Sequence, residues 1–191
     1  SPVSAAPIQY PIDFLVSRRR CFLERSFDRA LRYFPMIRKE FDRAGVPAAL
    51  AYMPLVESGF RNGAISSAGA QGMWQFMEPT ARRFGLRVGD GVDERLDPVK
   101  STRAAAKYLS TLHAEFGDWP LAVAAYNCGE GRMRRSLKKA GVKTFWELAE
   151  MDLLHKETVD YVPRIVAVTL IASDPERYGF KGVTPGPATT R

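Results

Sequence analysis

The sequence predicts a single, mostly α-helical domain, and three observations carry that expectation. Apolar residues recur three and four positions apart along most of the chain, the spacing of a helix face. Alternation of apolar and polar residues over the length of a strand is scarce. The 191 residues, 46% of them hydrophobic, suffice for one sizeable core and match the usual length of one domain.

Each element has its own signal. From Pro11 to about Gly45 the text reads as two or three amphipathic helices, with Phe27, Leu31 and Phe34 at helical spacing and Pro35 interrupting the run. Pro47 introduces a short apolar helix from Ala48 to Glu57, because a proline's missing N–H has no partner in a first turn. Ser58-Gly59 ends it. Four glycines, three serines and one asparagine between Ser58 and Gly72 then spell a loop, in which Gly69 and Gly72 supply a tight turn. Asp97-Pro98 reads as an N-cap and first-turn proline. Ala105, Tyr108, Leu109, Leu112 and Phe116 follow as the clearest apolar face in the chain. Further helices are expected over Trp119 to Tyr126, over the basic stretch Glu130 to Ala140 that Gly141 ends, and over Glu157 to Ala172. There is no internal repeat. Residues 1–9 and 182–191, rich in Pro, Gly, Ala, Ser and Thr, are expected to be mobile ends flanking a folded unit of residues 10–181.

Composition removes several classes. Thirteen prolines and fifteen glycines fall short of a collagen-like or low-complexity chain, and no window approaches eighteen consecutive apolar residues, which excludes a membrane-spanning helix. Basic residues outnumber acids 28 to 21, giving a net charge of +7 and a preference for anionic partners: nucleic acid, anionic lipid or cell-wall polymer. Cys21 and Cys128 lie 107 positions apart, so the sequence has neither a Cys-x-x-Cys redox pair nor a zinc-ligand cluster. A disulfide between them is weakly expected. No leader-like segment opens the chain, so it reads as cytosolic or as a protein whose targeting segment was removed before Ser1.

One carboxyl group stands out. Helical spacing places Leu50, Met53 and Glu57 on one face, so the Glu57 side chain projects among apolar neighbours. Desolvation raises a glutamate's pKa, which suits a general acid that must keep its proton near neutrality. By itself the pattern reads rather as a solvated glutamate at a helix end, where most glutamates are exposed.

The surrounding text decides between the two. Glu57-Ser58-Gly59-Phe60, the run Ser66-Ser67-Ala68-Gly69-Ala70-Gln71-Gly72-Met73-Trp74-Gln75-Phe76-Met77, the run Ala124-Ala125-Tyr126-Asn127-Cys128-Gly129-Glu130-Gly131, and Glu157-Thr158-Val159-Asp160-Tyr161-Val162-Pro163 occur in this order. Together they resemble the four motifs of the family 1 lytic transglycosylases, most closely the membrane-bound type D branch, over about Tyr10 to Phe180. The resemblance implies a lysozyme-like helical domain with a substrate cleft, as in goose-type lysozyme and the soluble lytic transglycosylases. It also implies cleavage of the β-1,4 bond between N-acetylmuramic acid and N-acetylglucosamine in peptidoglycan. The muramyl 6-hydroxyl would attack its own anomeric carbon and leave a 1,6-anhydromuramyl end.

Residue by residue, the resemblance makes Glu57 the catalytic acid and then base, with no metal or organic cofactor. Ser66 would hold the muramyl acetamido group, whose oxygen assists at the anomeric carbon in place of a second carboxylate. Gln75 and Met77 would line the cleft. Trp74 is left open between cleft and core. Tyr126 would place its hydroxyl near the catalytic carboxyl, Asn127 would bond sugar or loop backbone, Glu157 would support the site and Tyr161 would bind substrate. Cys128 reads as a small buried side chain, since no histidine lies near it to activate a thiolate. Glu78, Asp90, Asp93, Glu94 and Asp97 read as loop or capping acids.

Two features depart from the family pattern. Glu78-Pro79 replaces the usual Pro-Ser after Phe-Met, leaving the contacts of Met77 least secured. Nothing after Gly182 could fold into the wall-binding repeats that often follow type D domains, so the chain is expected to be a truncated catalytic piece or a naturally minimal enzyme. The implied setting is the periplasm or cell envelope, with outer-membrane association through a missing N-terminal segment, glycan strands as partner, and a monomer. Arg132, Arg135 and Lys139, on one face of the basic helix, form either a solvated surface or an attraction for anionic stem peptides and lipid. A DNA-binding module fits the charge but leaves the motif order unexplained. Two rivals remain: a goose-type-lysozyme-like hydrolase, and a catalytically silent wall-binding protein.

Overall fold

The computed structural model describes residues 6–183. Ten helices dominate: α1 (Ala6–Arg18), α2 (Arg20–Leu31), α3 (Phe34–Ala44), α4 (Met53–Ser58), α5 (Glu78–Arg83), α6 (Pro98–Phe116), α7 (Trp119–Cys128), α8 (Glu130–Ala140), α9 (Phe145–Ala149) and α10 (Lys156–Ser173). Among the described residues one antiparallel hairpin, β1 (Val88–Gly89) and β2 (Val92–Asp93), and short 3₁₀ segments join them. None of these helices is long and apolar enough to cross a membrane.

α7 is the hub. Leu121, Ala122, Val123, Ala124 and Ala125 are all buried, as expected of a helix that is apolar all round rather than along one stripe. α6, α8 and α10 pack around it, α3 backs α6, and α1 lies along α10. Asp97 caps α6 by accepting the Val99 and Lys100 amides at 2.9 Å each, and Asp118 caps α7 by accepting that of Leu121 at 3.1 Å. The one buried acid of α3, Glu40, is paired by Arg43 within the helix and by Arg103 of α6, each at 3.1 Å. Those partners hold its carboxyl below the usual range, the Arg103 hydrogen bond being the main cause.

Several details differ from the sequence expectation. α1 begins at Ala6, so its first turn falls within the segment expected to be mobile. Residues 1–5 and 184–191 lie outside the described residues. Pro35 does not interrupt a helix but sits in the opening turn of α3, and Leu31, placed on the apolar stripe with Phe27 and Phe34, ends α2 at 44% exposure. The expected helix from Ala48 to Glu57 is two pieces, a 3₁₀ segment Ala48–Tyr52 followed by α4.

Elements with no periodic signature were missed. α5 and α9 span only six and five residues, too short to show a period. Yet α9 opens on a capping box, Thr144 with Glu147, and the hairpin turns on Asp90-Gly91, both at positive φ (51° and 77°). Both were legible as local motifs.

The loop from Phe60 to Met77 is built against Arg95. Gly72, at φ 81°, lies so close that a Cβ there would come within 2.1 Å of the Arg95 carbonyl oxygen. Backbone cannot yield as a side-chain tip does, and an L-residue is strained at that φ in any case. Gly72→Ala is therefore expected to destabilise the fold by more than ~1 kcal/mol, read as a lowered Tm against the wild type.

Candidate active site

The acidic centre begins with a helix of only six residues. α4 is held at both ends: Met53, Pro54 and Leu55 are buried, and Gly59 caps it in the left-handed conformation at φ 61°. Arg29 of α2 donates to the Gly59 carbonyl at 2.7 Å. Ser58 donates to the Met73 carbonyl at 2.9 Å and so fastens the helix end to the long loop. Glu57, one residue earlier, is left projecting into a cleft of about 600 Å³.

Burial pushes the Glu57 carboxyl up to about 7. A hydrogen bond donated by the Tyr161 hydroxyl to Oε1 pulls the other way, and the nearby charge of Glu157 adds to the rise. Leu50 and Met53, the apolar neighbours expected from spacing, are both buried. The group thus holds its proton near neutrality while remaining open to the cleft.

Of the eight residues named from the sequence, seven line this cleft: Glu57, Ser66, Gln75, Met77, Tyr126, Asn127 and Glu157. They come from α4, the long loop, α7 and α10. Tyr161 is different. At 4% exposure it lies behind Glu57, its hydroxyl donating to the Glu57 carboxyl, and it is not among the residues lining the cleft. Of this pair the exposed glutamate lines the cleft, and the buried tyrosine bonds the Glu57 carboxyl. Their four-residue spacing on α10 places both on one face but not at one depth.

The remaining positions show how each side chain is committed. Ser66 Oγ accepts the Ala70 amide at 2.9 Å, which uses a lone pair and leaves the hydroxyl proton for a ligand's oxygen. Gln75 adopts φ 51°, unusual for a non-glycine residue, and its Nε2 donates to the carbonyls of Gly72 (2.8 Å) and Ala64 (3.2 Å). Those bonds spend the amide nitrogen and leave Oε1. Met77, 44% exposed, lines the cleft just ahead of α5. Tyr126 donates to the Trp74 carbonyl at 2.8 Å; burial, foremost, and the charge of Glu57 hold its hydroxyl protonated. Asn127 neither bonds loop backbone nor is free, for its Oδ1 accepts from Thr158 of α10 at 2.9 Å, which aims the amide nitrogen.

Trp74 belongs to the core. It is fully buried, packs on Phe41, and its indole N–H donates to Thr102 at 2.8 Å. Cys21 and Cys128 are both free. Cys128 lines the cleft, and burial pushes its thiol up to about 11, which keeps it protonated near neutrality.

Sequence reasoning missed part of the wall. Tyr108, Thr80 and Glu130 line the cleft. Glu130 is bonded by Arg83 of α5 and by the Tyr108 hydroxyl (2.9 Å), with Arg83 chiefly responsible for lowering its carboxyl to about 2. Tyr108 reads in sequence only as part of an apolar face, and Glu130, though inside the third motif run, carries no cleft role there beyond opening a basic helix. Among the described residues no group of three potential His, Cys, Asp or Glu ligands could hold a metal ion.

Removing the Tyr161 hydroxyl takes away the one interaction that lowers the Glu57 carboxyl. Tyr161→Phe is expected to move the alkaline limb of the pH–kcat/KM profile upward from about 7, a shift read directly by titrating initial rates. An unmoved limb would separate Tyr161 from the acid.

Helices gathered about α7, and a half-buried glutamate at the end of a short helix facing a glycine-rich loop, describe a lysozyme-like fold with an acid in its cleft. The chain belongs to the transglycosylase SLT domain family, whose pattern matches residues 35–149. That span holds every cleft residue named above except Glu157, which lies with Tyr161 beyond it on α10. The chain is 38% identical over 169 residues to membrane-bound lytic murein transglycosylase D of Escherichia coli K12, an alignment covering 86% of this chain and 36% of that protein. It thus spans about a third of that relative's length. Among solved structures it is similar to a 70-kDa soluble lytic transglycosylase in complex with bulgecin A, with TM-score 0.65, 25% identity, and coverage of 84% and 26% of the two chains. It is also similar to an inactive mutant of lytic transglycosylase Slt from Pseudomonas aeruginosa, with TM-score 0.59, 30% identity, and coverage of 82% and 26%.

Proposed function

We propose that this chain cleaves the glycan strands of peptidoglycan as a lytic transglycosylase, between N-acetylmuramic acid and N-acetylglucosamine, leaving 1,6-anhydromuramyl ends. The observation that carries the reading is the Glu57 carboxyl, held near a pKa of about 7 at the wall of a cleft and supported by a buried tyrosine. Its proton passes to the glycosidic oxygen as the bond to the anomeric carbon breaks. The resulting carboxylate then takes the proton of the muramyl 6-hydroxyl as that oxygen closes on the same carbon. The leaving glucosamine end gains one proton, the muramyl hydroxyl loses one, and no water is consumed. Ser66, which lines the cleft with a hydroxyl proton to donate, holds in this reading the acetamido group whose oxygen stabilises the oxocarbenium-like centre.

A second reading has its own observation. Glu157 faces the cleft near enough for its charge to raise the Glu57 carboxyl, so it could serve as the second carboxylate of a hydrolase and activate water. Fragments released from purified sacculi and identified by mass spectrometry separate the two. Anhydromuramyl ends, retained in Glu157→Gln, are expected. Reducing ends that disappear in Glu157→Gln would establish the hydrolase, and no fragments at all would leave a wall-binding protein.

The names of the relatives support action at the cell envelope, and we place this chain there, acting as a monomer. Arg132, Arg135 and Lys139 are exposed on one face of α8, whereas Arg134 beside them is paired with Glu115. That face supplies a salt-sensitive attraction for the anionic stems of the wall polymer.

A further inference from the structure

We infer that Arg95, which does not itself line the cleft but bonds the main chain of the cleft residue Phe76, is the positioning residue that sets the loop carrying Ser66 and Gln75 for the reaction. The inference rests on the reading of the site as a lytic transglycosylase.

Arg95 sits in the 3₁₀ turn Glu94–Leu96 that follows β2, and it is only 4% exposed. Four of the five N–H donors of its guanidinium are bonded to Asp93 and to the long loop. Nε donates to Asp93 Oδ1 at 2.9 Å and Nη2 to Asp93 Oδ2 at 2.6 Å, a two-pronged pairing that fixes the plane of the group. Nη1 reaches two carbonyls of the long loop, Gly69 at 3.1 Å and Phe76 at 3.2 Å. The second Nη2 hydrogen faces Gln71, whose amide lies 3.2 Å from both Arg95 and Asp93 when its oxygen is turned to the arginine.

The anchored carbonyls bracket the residues that meet substrate. Gly69 closes the turn that Ser66 opens, with the Gly69 amide donating to the Ser66 carbonyl at 3.0 Å and the Ala70 amide to Ser66 Oγ at 2.9 Å. Phe76 directly follows Gln75, and its amide and carbonyl pair with Gln71 at 3.1 Å each. Gly72, between them, rests against the Arg95 main chain with no room for a Cβ. One guanidinium thus sets the distance between the serine turn and the glutamine. Three contacts on one rigid plane define an orientation, which a lysine ammonium on a flexible stem does not reproduce.

Misplacing a positioning group by about 1 Å costs up to about a hundredfold in rate, so Arg95→Lys is expected to lower kcat about tenfold with KM moved less than threefold. The decisive measurement is the cycle with Ser66→Ala. If Arg95 acts through the serine turn, the tenfold loss shrinks to about twofold once the Ser66 hydroxyl is gone. An equal loss in both backgrounds, or an unchanged kcat in a folded Arg95→Lys, would overturn the inference. Asp93→Asn keeps the guanidinium and weakens its anchor, while an asparagine Oδ1 can still accept the Arg95 amide that Asp93 caps. It is expected to show the same coupling to Ser66 at smaller size, and it decides the question if Arg95→Lys fails to fold. Wild-type protein that releases no anhydromuramyl product overturns the reaction itself. Normal anhydromuramyl product with no Arg95–Ser66 coupling overturns only the role of Arg95.

Discussion

Glu57→Gln is expected to lower kcat by about 10²–10⁴, the usual worth of general acid–base catalysis, while fold and glycan binding persist. Glutamine keeps the shape of the side chain and can still meet the Tyr161 hydroxyl through its carbonyl oxygen, but it can neither deliver nor accept the proton. Activity within about tenfold of the wild type would remove Glu57 from the mechanism. Glu78, exposed and paired with Arg82 at 2.9 Å on the opening turn of α5, is the control; its replacement should be mild. The same substitution has a stability consequence of known sign. The folded carboxyl titrates at about 7, above its ordinary 4.5, so the folded state holds a proton that the unfolded chain gives up. The stabilisation linked to that proton is complete below about pH 4.5 and is lost as pH rises through about 7. Glu57→Gln is uncharged throughout. It should raise Tm near pH 8, by no more than about 3 kcal/mol of stability at ~1.4 kcal/mol per unit, and leave it nearly unchanged near pH 4.

The second large effect comes from the substrate. Glycan whose muramyl residues have lost their N-acetyl groups is expected to be cleaved far more slowly, with kcat suffering more than KM. The acetamido oxygen bonds to the anomeric centre only as positive charge develops there, so its loss acts on the transition state and spares the ground state. Ser66→Ala should act in the same direction but more weakly, since it removes only the hydrogen bond that orients the group. Equal turnover of the acetylated and deacetylated glycans would sink the assisted mechanism. Glu157, already in the cleft and in electrostatic reach of Glu57, would then be the nucleophile or water activator to test.

What the sequence could show followed from the range over which each signal acts. α6, α8 and α10 were legible because caps and 3.6-residue periodicity are local properties, and each runs eleven residues or more. The cleft-facing place of Glu57 was legible for the same reason, since Leu50 and Met53 lie within two turns of it. Depth was not. Whether a tyrosine on α10 contacts sugar or underpins the acid depends on how that helix packs against α4, and neither residue type nor spacing encodes that contact. The different depths of Glu157 and Tyr161 are therefore a tertiary result. Glu130 was missed because the pair that defines it, Arg83 and Tyr108, comes from two other helices. Arg95 was missed because its partners lie 19 and 26 positions away along the loop, outside any local pattern.

The central claim is that a hydroxyl of the substrate itself, and not water, receives the anomeric carbon. Digestion of purified sacculi by the wild-type chain in water carrying the heavy oxygen isotope, followed by mass spectrometry of the released muropeptides, tests it most directly. Intramolecular attack predicts anhydromuramyl ends with no heavy oxygen at the cleaved position. Reducing muramyl ends carrying the isotope at the anomeric carbon would show that water was the acceptor and contradict the account.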